Sequence, residues 1–394
     1  MGKLEELIEE LCPDGVEFSR IDELCIITRG RVMSKDYIRD NAGNYPVYSS
    51  QTENNGELGK ISTYDYEGEF LTWTTDGANA GSVFYRDGKF SVTNVCGLLK
   101  IQDDRILTKY LYYALVITAP NYVNRGMGNP KLMSNVMGKI RIPIPPIEVQ
   151  REIVRILDNF TELTAELTAE LTTELTARKK QYEYYRDDLM NLSNDKNIVT
   201  IGEVVEKIGT INWNKCEETK KYIDLTSVDK EVHSIIKKLV SDVNSENAPS
   251  RARQLIKSGD ILFGGTRPML KRYCIVPKEY DNQICSTGYI VLRVKNNLII
   301  KEYLYYILGT QSFYNYIESN QQGASYPSIG DKVLKQYTFN LPSLREQEHI
   351  VKILNEFEKL YYDISEGIQA EIEARKKQYE YYRDKLLTFK KLEE

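Results

Sequence analysis

The chain has 394 residues, 52 Lys and Arg against 57 Asp and Glu, a formal net charge of −5 and 41% apolar residues, the composition of a folded chain of two or three domains, each able to bury a core without staples. Its six cysteines (Cys12, Cys25, Cys96, Cys216, Cys274, Cys285) include no C-x-x-C pair and no matching histidine spacing, so no zinc site is expected and they read as small buried hydrophobes of a reducing compartment. No apolar run reaches the roughly eighteen residues that span a bilayer, and Met1–Glu10 is too acidic for a signal peptide, so a cytoplasmic chain with no membrane partner is expected.

In chain order, Lys3–Leu11 places Leu4, Leu7, Ile8 and Leu11 on one helical face and stops at Pro13-Asp14-Gly15. Residues 1–20 read as a helix and lead-in belonging to a helical framework. Residues 21–145 form a first mixed, sheet-containing domain, with β-type runs at Phe70–Thr74 and Gly81–Tyr85 punctuated by Asn-Gly and Asp-Gly steps. A tyrosine-rich helix follows at Lys109–Leu115, its tyrosines and Trp73 expected in the core. After Pro145-Pro146 the spacing predicts a helix of roughly forty residues, about 60 Å at 1.5 Å per residue, within 146–192. Residues 193–341 form a second domain of the same style, with runs at Gly259–Phe263 and Gly288–Leu292 and a tyrosine-rich helix at Glu302–Leu308. A second long helix fills 342–394.

The two long helices are copies. RKKQYEYYRD occurs at Arg178–Asp187 and Arg375–Asp384, a 197-residue offset, and at the same offset Gln150, Ile153, Val154, Leu157 and Phe160 match Gln347, Ile350, Val351, Leu354 and Phe357. Ile21-Asp22-Glu23-Leu24 resembles Ile201-Gly202-Glu203-Val204, so the repeat is circular and the N-terminal helix is expected beside the C-terminal helix end. Leu163, Leu167, Leu171 and Leu175 recur every four residues, with Leu360, Ile364, Ile368 and Ile372 at the same places in the second copy; such a stripe asks for a partner helix. A period of four drifts about 40° per repeat, so this is no ordinary heptad seam. The Glu162, Glu166, Glu170 and Glu174 ladder reads as a solvated face. The expected fold class is α+β: two globular mixed α/β domains separated by two long antiparallel helices in a pseudo-twofold repeat.

Charge is uneven. Residues 1–20, 141–197 and 342–394 carry −4, −3 and −2, while 21–140 is neutral and 198–341 carries +4. A polyanion would therefore meet the variable regions rather than the helices.

Chemistry is sparse. Of two histidines, His349 stands where the other helix copy has Glu152, and His233 lies in a polar stretch without an evident partner. Gly56-Glu57-Leu58-Gly59-Lys60 has the wrong spacing for a phosphate loop. Gly126-Met127-Gly128 lacks the third glycine of a dinucleotide fingerprint. Ile144-Pro145-Pro146-Ile147 is not the Asn/Asp-Pro-Pro-aromatic tetrad of an amino-methyltransferase. Glu218-Thr219-Lys220 lacks the partner carboxylates of a Mg²⁺ nuclease and reads as a charged loop. No catalytic or metal-binding residue is assigned.

Together the duplicated helices, RKKQYEYYRD, the TAEL repeat, the Pro145-Pro146 to Gln150 spacing, the Leu11–Glu17 start and the Tyr48–Thr52 loop resemble the specificity subunit of type I restriction-modification systems. The resemblance covers the whole chain. It implies two target-recognition domains, each reading half of a bipartite site in double-stranded DNA, and helices that set the gap. It also implies two methyltransferase subunits and, for restriction, two motor-nuclease subunits; S-adenosylmethionine, ATP and Mg²⁺ would belong to those partners, with no cofactor in this chain. One TAEL unit adds about 6 Å, close to two base-pair steps of about 3.4 Å, so helix length would act as a ruler.

On that reading, DNA contacts are expected from loop side chains able to bond phosphates or base edges. In the first domain these are Arg29, Arg31, Lys35, Ser50, Gln51, Asn54, Asn55, Arg125, Asn129 and Lys131. In the second they are Arg251, Arg253, Arg267, Lys271, Arg272, Gln321, Gln322 and Ser325. A competing reading is a structural adaptor with protein-binding end domains, separable by sequence-dependent, salt-sensitive DNA binding. A third is a methyltransferase or nuclease in its own right, which turnover by the purified chain would reveal.

Overall fold

The four-residue apolar repeat is realised as two helices, Ile147–Asn191 of 45 residues and Leu344–Leu386 of 43. A computed structural model describes residues 2–126, 128–191 and 197–392. The border expected between 192 and 193 lies outside them, as do Met127 of the Gly126-Met127-Gly128 step, Met1 and residues 393–394. The chain divides into unit 1, Met1–Leu171 with Ala370–Glu394, and unit 2, Thr172–Gln369. Because the division falls within the long helices, each unit holds one variable region, part of one long helix and part of the other.

The variable regions, unlike in sequence, share one topology. In unit 1 an antiparallel sheet runs Cys25–Arg29, Cys96–Ile101, Phe70–Thr74, Val83–Arg86. A second sheet runs Glu57–Ile61, Ala42–Tyr48, Lys89–Val92, Tyr66–Glu67, its middle pair parallel. Unit 2 repeats both: Val205–Glu206, Tyr289–Val294, Ile261–Gly264, Tyr273–Ile275, then Ser241–Val243, Lys220–Ile223, Ile284–Ser286, Ala252–Leu255, again with the middle pair parallel. A two-stranded ribbon, Glu17–Arg20 with Arg141–Ile144 or Ile198–Thr200 with Thr338–Asn340, closes each variable region beside its long helix.

The shared core is filled by different residues. In unit 1 Trp73 pairs across the sheet with Gly97, where an added Cβ would lie 2.3 Å from the indole. In unit 2 the corresponding pair is Phe263 and Ile290. A smaller aromatic opposite a larger aliphatic conserves volume, the kind of exchange cores tolerate best. Trp73 is fully buried and its Nε1 donates to Leu132 O at 2.9 Å, so it is a core residue as expected. The tyrosine-rich helices form at Thr108–Thr118 and Lys301–Ile307, with Tyr110 and Tyr303 buried and their hydroxyls donating to Pro143 O and Asn340 O. Five cysteines are buried; Cys216 is half-buried. No helix among the described residues is long and apolar enough to cross a membrane.

The Pro-to-Gln spacing has a physical cause. Gln150, fully buried, accepts from Leu107 N at 2.9 Å and donates to Pro145 O and Arg105 O, both at 2.7 Å. Gln347 accepts from Ile300 N at 2.9 Å and donates to Pro342 O and Leu298 O at 2.9 and 3.1 Å. Each side chain ties the start of a long helix to the start of the tyrosine helix through three backbone groups that burial would otherwise leave unpaired.

In unit 1 the helix Gly2–Leu11 buries Leu4 in the cluster that holds Cys12, Val16, Leu386 and Leu387. Val16 N donates to Lys390 O and Leu392 N to Val16 O, each at 2.9 Å, so the expected meeting of N-terminal helix and C-terminal helix end is present. Met190, at the position matching Leu387, lies in the core of unit 2.

Within each unit the two helix segments run antiparallel, held by aromatic rings. Phe160 stacks on Tyr382 at 6.1 Å in unit 1; Tyr185 stacks on Phe357 at 5.6 Å and Tyr182 on Tyr361 at 5.5 Å in unit 2. The apolar stripe contributes less evenly than its periodicity suggests. Leu167, Leu171, Leu175, Ile368 and Ile372 are half-buried, whereas Leu163, Ile364 and Leu360 are exposed, Leu163 at 62% and Leu360 at 57%. The 40° drift accounts for this: a period-four row winds off a straight helix's contact face, and in both helices it is the N-terminal members that turn to solvent.

Candidate nucleic-acid interface

In unit 1 three polar loops are tied edge to edge. Ser50 Oγ accepts from Thr75 N at 3.0 Å and donates to Val95 O, and Asn79 Nδ2 donates to Thr52 Oγ1 at 2.9 Å, which joins loop 49–56 to the turn 75–82. That turn is tied in its own right to a third loop: Leu132 N donates to Thr75 O and Gly77 N to Pro130 O, while Asn124 and Lys131 exchange a pair of backbone bonds. Of the sequence candidates, Asn54, Asn55, Arg125, Asn129 and Lys131 are exposed on these loops.

Ser50 and Gln51 face inward instead. Gln51 Nε2 donates to Glu57 O at 2.6 Å, so both side chains shape the loop. Arg29, half-buried, donates to Ser134 Oγ and Met133 Sδ. Arg31 is paired with Asp65 at 3.0 Å and donates to Tyr37 Oη, and its backbone bridges Thr93, whose hydroxyl reaches Ser49. Lys35 is exposed at the first position of Lys35–Asp40, next to the capping residue Ser34.

Arg86 was not legible from sequence as part of this site. It is buried, donates to Asn55 O at 2.8 Å and Thr72 Oγ1 at 3.1 Å, and lies 3.6 Å from the Tyr48 ring centroid. It holds from below the segment in which Asn54 and Asn55 adopt left-handed φ values of 48° and 55°. Burial lowers its pKa, the direction desolvation gives a cation.

Unit 2 repeats the turn and the third loop. Arg267 N donates to Pro327 O at 2.7 Å, Thr266 bridges Ser328, and Gln322 and Ser328 exchange backbone bonds. Gln322, Ser325 and Tyr326 are exposed, and the Arg267 guanidinium lies 4.4 Å from the Tyr326 centroid. Gln321 is half-buried, its Oε1 without a hydrogen-bond partner among the described residues. Arg251 and Arg253 are exposed on the neighbouring strand edge; Arg251 O accepts from Thr287 N, and Gly288 O accepts from Gly265 N at the root of the turn. Lys271 and Arg272 are half-buried, Lys271 Nζ lying 4.6 Å from the Tyr314 centroid. Tyr326, which directly follows Ser325 and bears on the candidate Arg267, is not singled out by the sequence pattern.

His233 has a setting that its polar neighbours did not reveal. Its ring is 4.2 Å from that of Tyr273, beside a cavity of about 270 Å³ that also meets Arg186, Tyr314 and Glu358. Burial pushes its pKa down to about 4. Glu218 is ion-paired with Lys220, and no group of three or more metal-ligating side chains occurs among the described residues.

Residues 13–177 and 193–374 each match the type I restriction modification DNA specificity domain. The chain belongs to that family. It is 32% identical over 377 residues, 93% of this chain and 96% of the relative, to a type I specificity subunit of Mycoplasma pneumoniae. It is 53% identical over 181 residues, 45% of this chain and 97% of the relative, to the N-terminal part of another from that organism. Among solved structures, the HsdS subunit from Thermoanaerobacter tengcongensis aligns with 43% of each chain at 30% identity and a TM-score of 0.40.

Proposed function

We propose that this family member is the DNA sequence-specificity subunit of a type I restriction-modification complex, each unit reading one half of a bipartite site and the chain performing no catalysis itself. The observation that carries the reading is the repeated loop cluster. Two regions of unlike sequence build one scaffold and tie the same turn to the same following loop, with different polar side chains at the tips. A scaffold kept constant while its tips vary suits readout of base edges. The exposed sites proposed for contact are Asn54, Asn55, Arg125, Asn129 and Lys131 in unit 1, and Arg251, Arg253, Arg267, Gln322 and Ser325 in unit 2. Lys35, Lys271 and Arg272 flank these loops as further cations, and Arg29, Arg31, Ser50, Gln51 and Gln321 act at most from their edges.

The helices present Phe160 and Leu163 in unit 1 and, 197 residues on, Phe357 and Leu360 in unit 2, all exposed. Equivalent apolar seats in duplicate fit two copies of one partner, the methyltransferase subunit, with two motor-nuclease subunits joining for restriction. S-adenosylmethionine, ATP and Mg²⁺ belong to those partners, and the cytoplasm is the compartment. The test is a map of N6-methyladenine in cells holding the partner methyltransferase, with and without this chain. A split motif seen only with the chain is the expected result. An unchanged map, with the chain expressed and assembled, would leave the adaptor reading.

A further inference from the structure

The turn that joins a central strand to the edge strand after it, Phe70–Thr74 to Val83–Arg86 in unit 1 and Ile261–Gly264 to Tyr273–Ile275 in unit 2, has left-handed residues at both of its ends. In unit 1 they are Gly77 and Gly81, with φ of 94° and 87°; in unit 2 they are Arg267 and Lys271, with φ of 49° and 54°. The equivalence is structural as well as by spacing, since Gly77 N donates to Pro130 O and Arg267 N to Pro327 O from the same place in the turn. Around Gly77 an added Cβ would meet nothing within 4 Å among the described residues, so among them the positive φ is what calls for glycine there. At Arg267 the same conformation carries a long side chain, against the steric preference of every residue with a Cβ. Pro268 follows, which restricts the preceding residue further toward extended backbone. Strain retained at an exposed loop tip points to a use for the side chain.

That side chain is displayed. The guanidinium lies over Tyr326, itself 70% exposed, and among the described residues no carboxylate pairs with it, unlike Arg31 on Asp65. Stacking occupies one face of the planar group and leaves its edge donors free. An edge of two parallel N–H donors matches O6 and N7 of guanine in the major groove. We propose that Arg267 reads one guanine in the half-site of unit 2, with Tyr326 as the positioning residue that holds the guanidinium in plane, and that unit 1 has no equivalent reader at Gly77. This rests on the DNA-specificity reading above and adds a base and a residue to it.

The assembled complex is tested with wild-type chain and with R267G, R267K, Y326F and Y326S, by mapping methylated motifs and by modification of duplexes varied one base at a time. R267G suits the left-handed backbone, so its thermal midpoint should equal or exceed wild type and loss of reading cannot be ascribed to misfolding. The expected result is a guanine in the unit 2 half-site whose preference falls about five- to a hundredfold in R267G and R267K, with the unit 1 half-site unchanged. Y326S should weaken the same position and Y326F should restore it. A unit 2 half-site without guanine would overturn the proposal. So would full discrimination in R267G, or an equal loss of modification on all duplexes, which would mark a phosphate contact. Absence of any chain-dependent split motif with wild type would instead overturn the specificity reading itself.

Discussion

Gln150→Ala removes a side chain whose three hydrogen bonds all go to backbone. Leu107 N, Arg105 O and Pro145 O, now 2.7 to 2.9 Å from the amide, lose a partner where Gln150 itself has no exposure. A buried polar group left unpaired costs about 1–3 kcal/mol; allowing for water reaching one carbonyl, unit 1 should lose about 3–5 kcal/mol. Gln150→Glu keeps an acceptor for Leu107 N but loses both donations, and should lose about 2 kcal/mol or more. The chain has two tryptophans, Trp73 in unit 1 and Trp213 in unit 2. Urea unfolding followed by fluorescence in a Trp213→Phe background therefore reports on unit 1, and in a Trp73→Phe background on unit 2. A loss below about 1 kcal/mol in unit 1, or an equal shift of the Trp213 transition, would refute the claim that this amide anchors its own unit. Gln347→Ala should reproduce the effect in unit 2.

His233 titrates near 4 when folded and near 6.5 when unfolded. The unfolded chain binds the proton first, so stability of unit 2 should fall by about 3 kcal/mol as pH drops through that window, and be flat above it. Glu358, raised by burial, acts in the opposite sense, so the comparison is wild type against His233→Asn, which should lose the slope; equal slopes would contradict it. Arg86→Met should release the Asn54–Asn55 loop, raising amide exchange there at least tenfold while loop 321–328 stays protected. Deleting Thr164–Leu167 shortens the first long helix by about 6 Å and should shorten the methylated gap or abolish modification; an unchanged motif at an unchanged rate would end the ruler idea.

Much of the fold could be read from pattern because its signals are local. Helix period and the Tyr-rich helices reflect side chains within a turn or two of one another, and the 197-residue repeat is read by matching one continuous segment against another. What sequence could not show is the common topology of the variable regions. Trp73 with Gly97 and Phe263 with Ile290 fill one space by opposite choices, and neither choice alone announces the other. Inward-facing Ser50 and Gln51 were legible as loop residues but not by direction, because direction depends on Thr75, Val95 and Glu57, distant in sequence or across a turn. Arg86 and Tyr326 were missed for a like reason: one acts from a strand beneath a loop, the other through Arg267, 59 positions earlier. The stripe Leu163 to Leu175 was legible as a stripe, and its drift explains why Leu163 turns to solvent while Leu167, Leu171 and Leu175 are half-buried.

The Gln150 and Gln347 anchors have a consequence for how such a chain can change. Each grips its variable region only by peptide groups, Leu107 N and Arg105 O in one unit, Ile300 N and Leu298 O in the other. A socket that binds peptide groups is blind to side chains. It sets a backbone shape at the seam and asks nothing of the residues beyond it, so an incoming domain of the same topology could be seated whole while its reading surface is rewritten without reference to the frame.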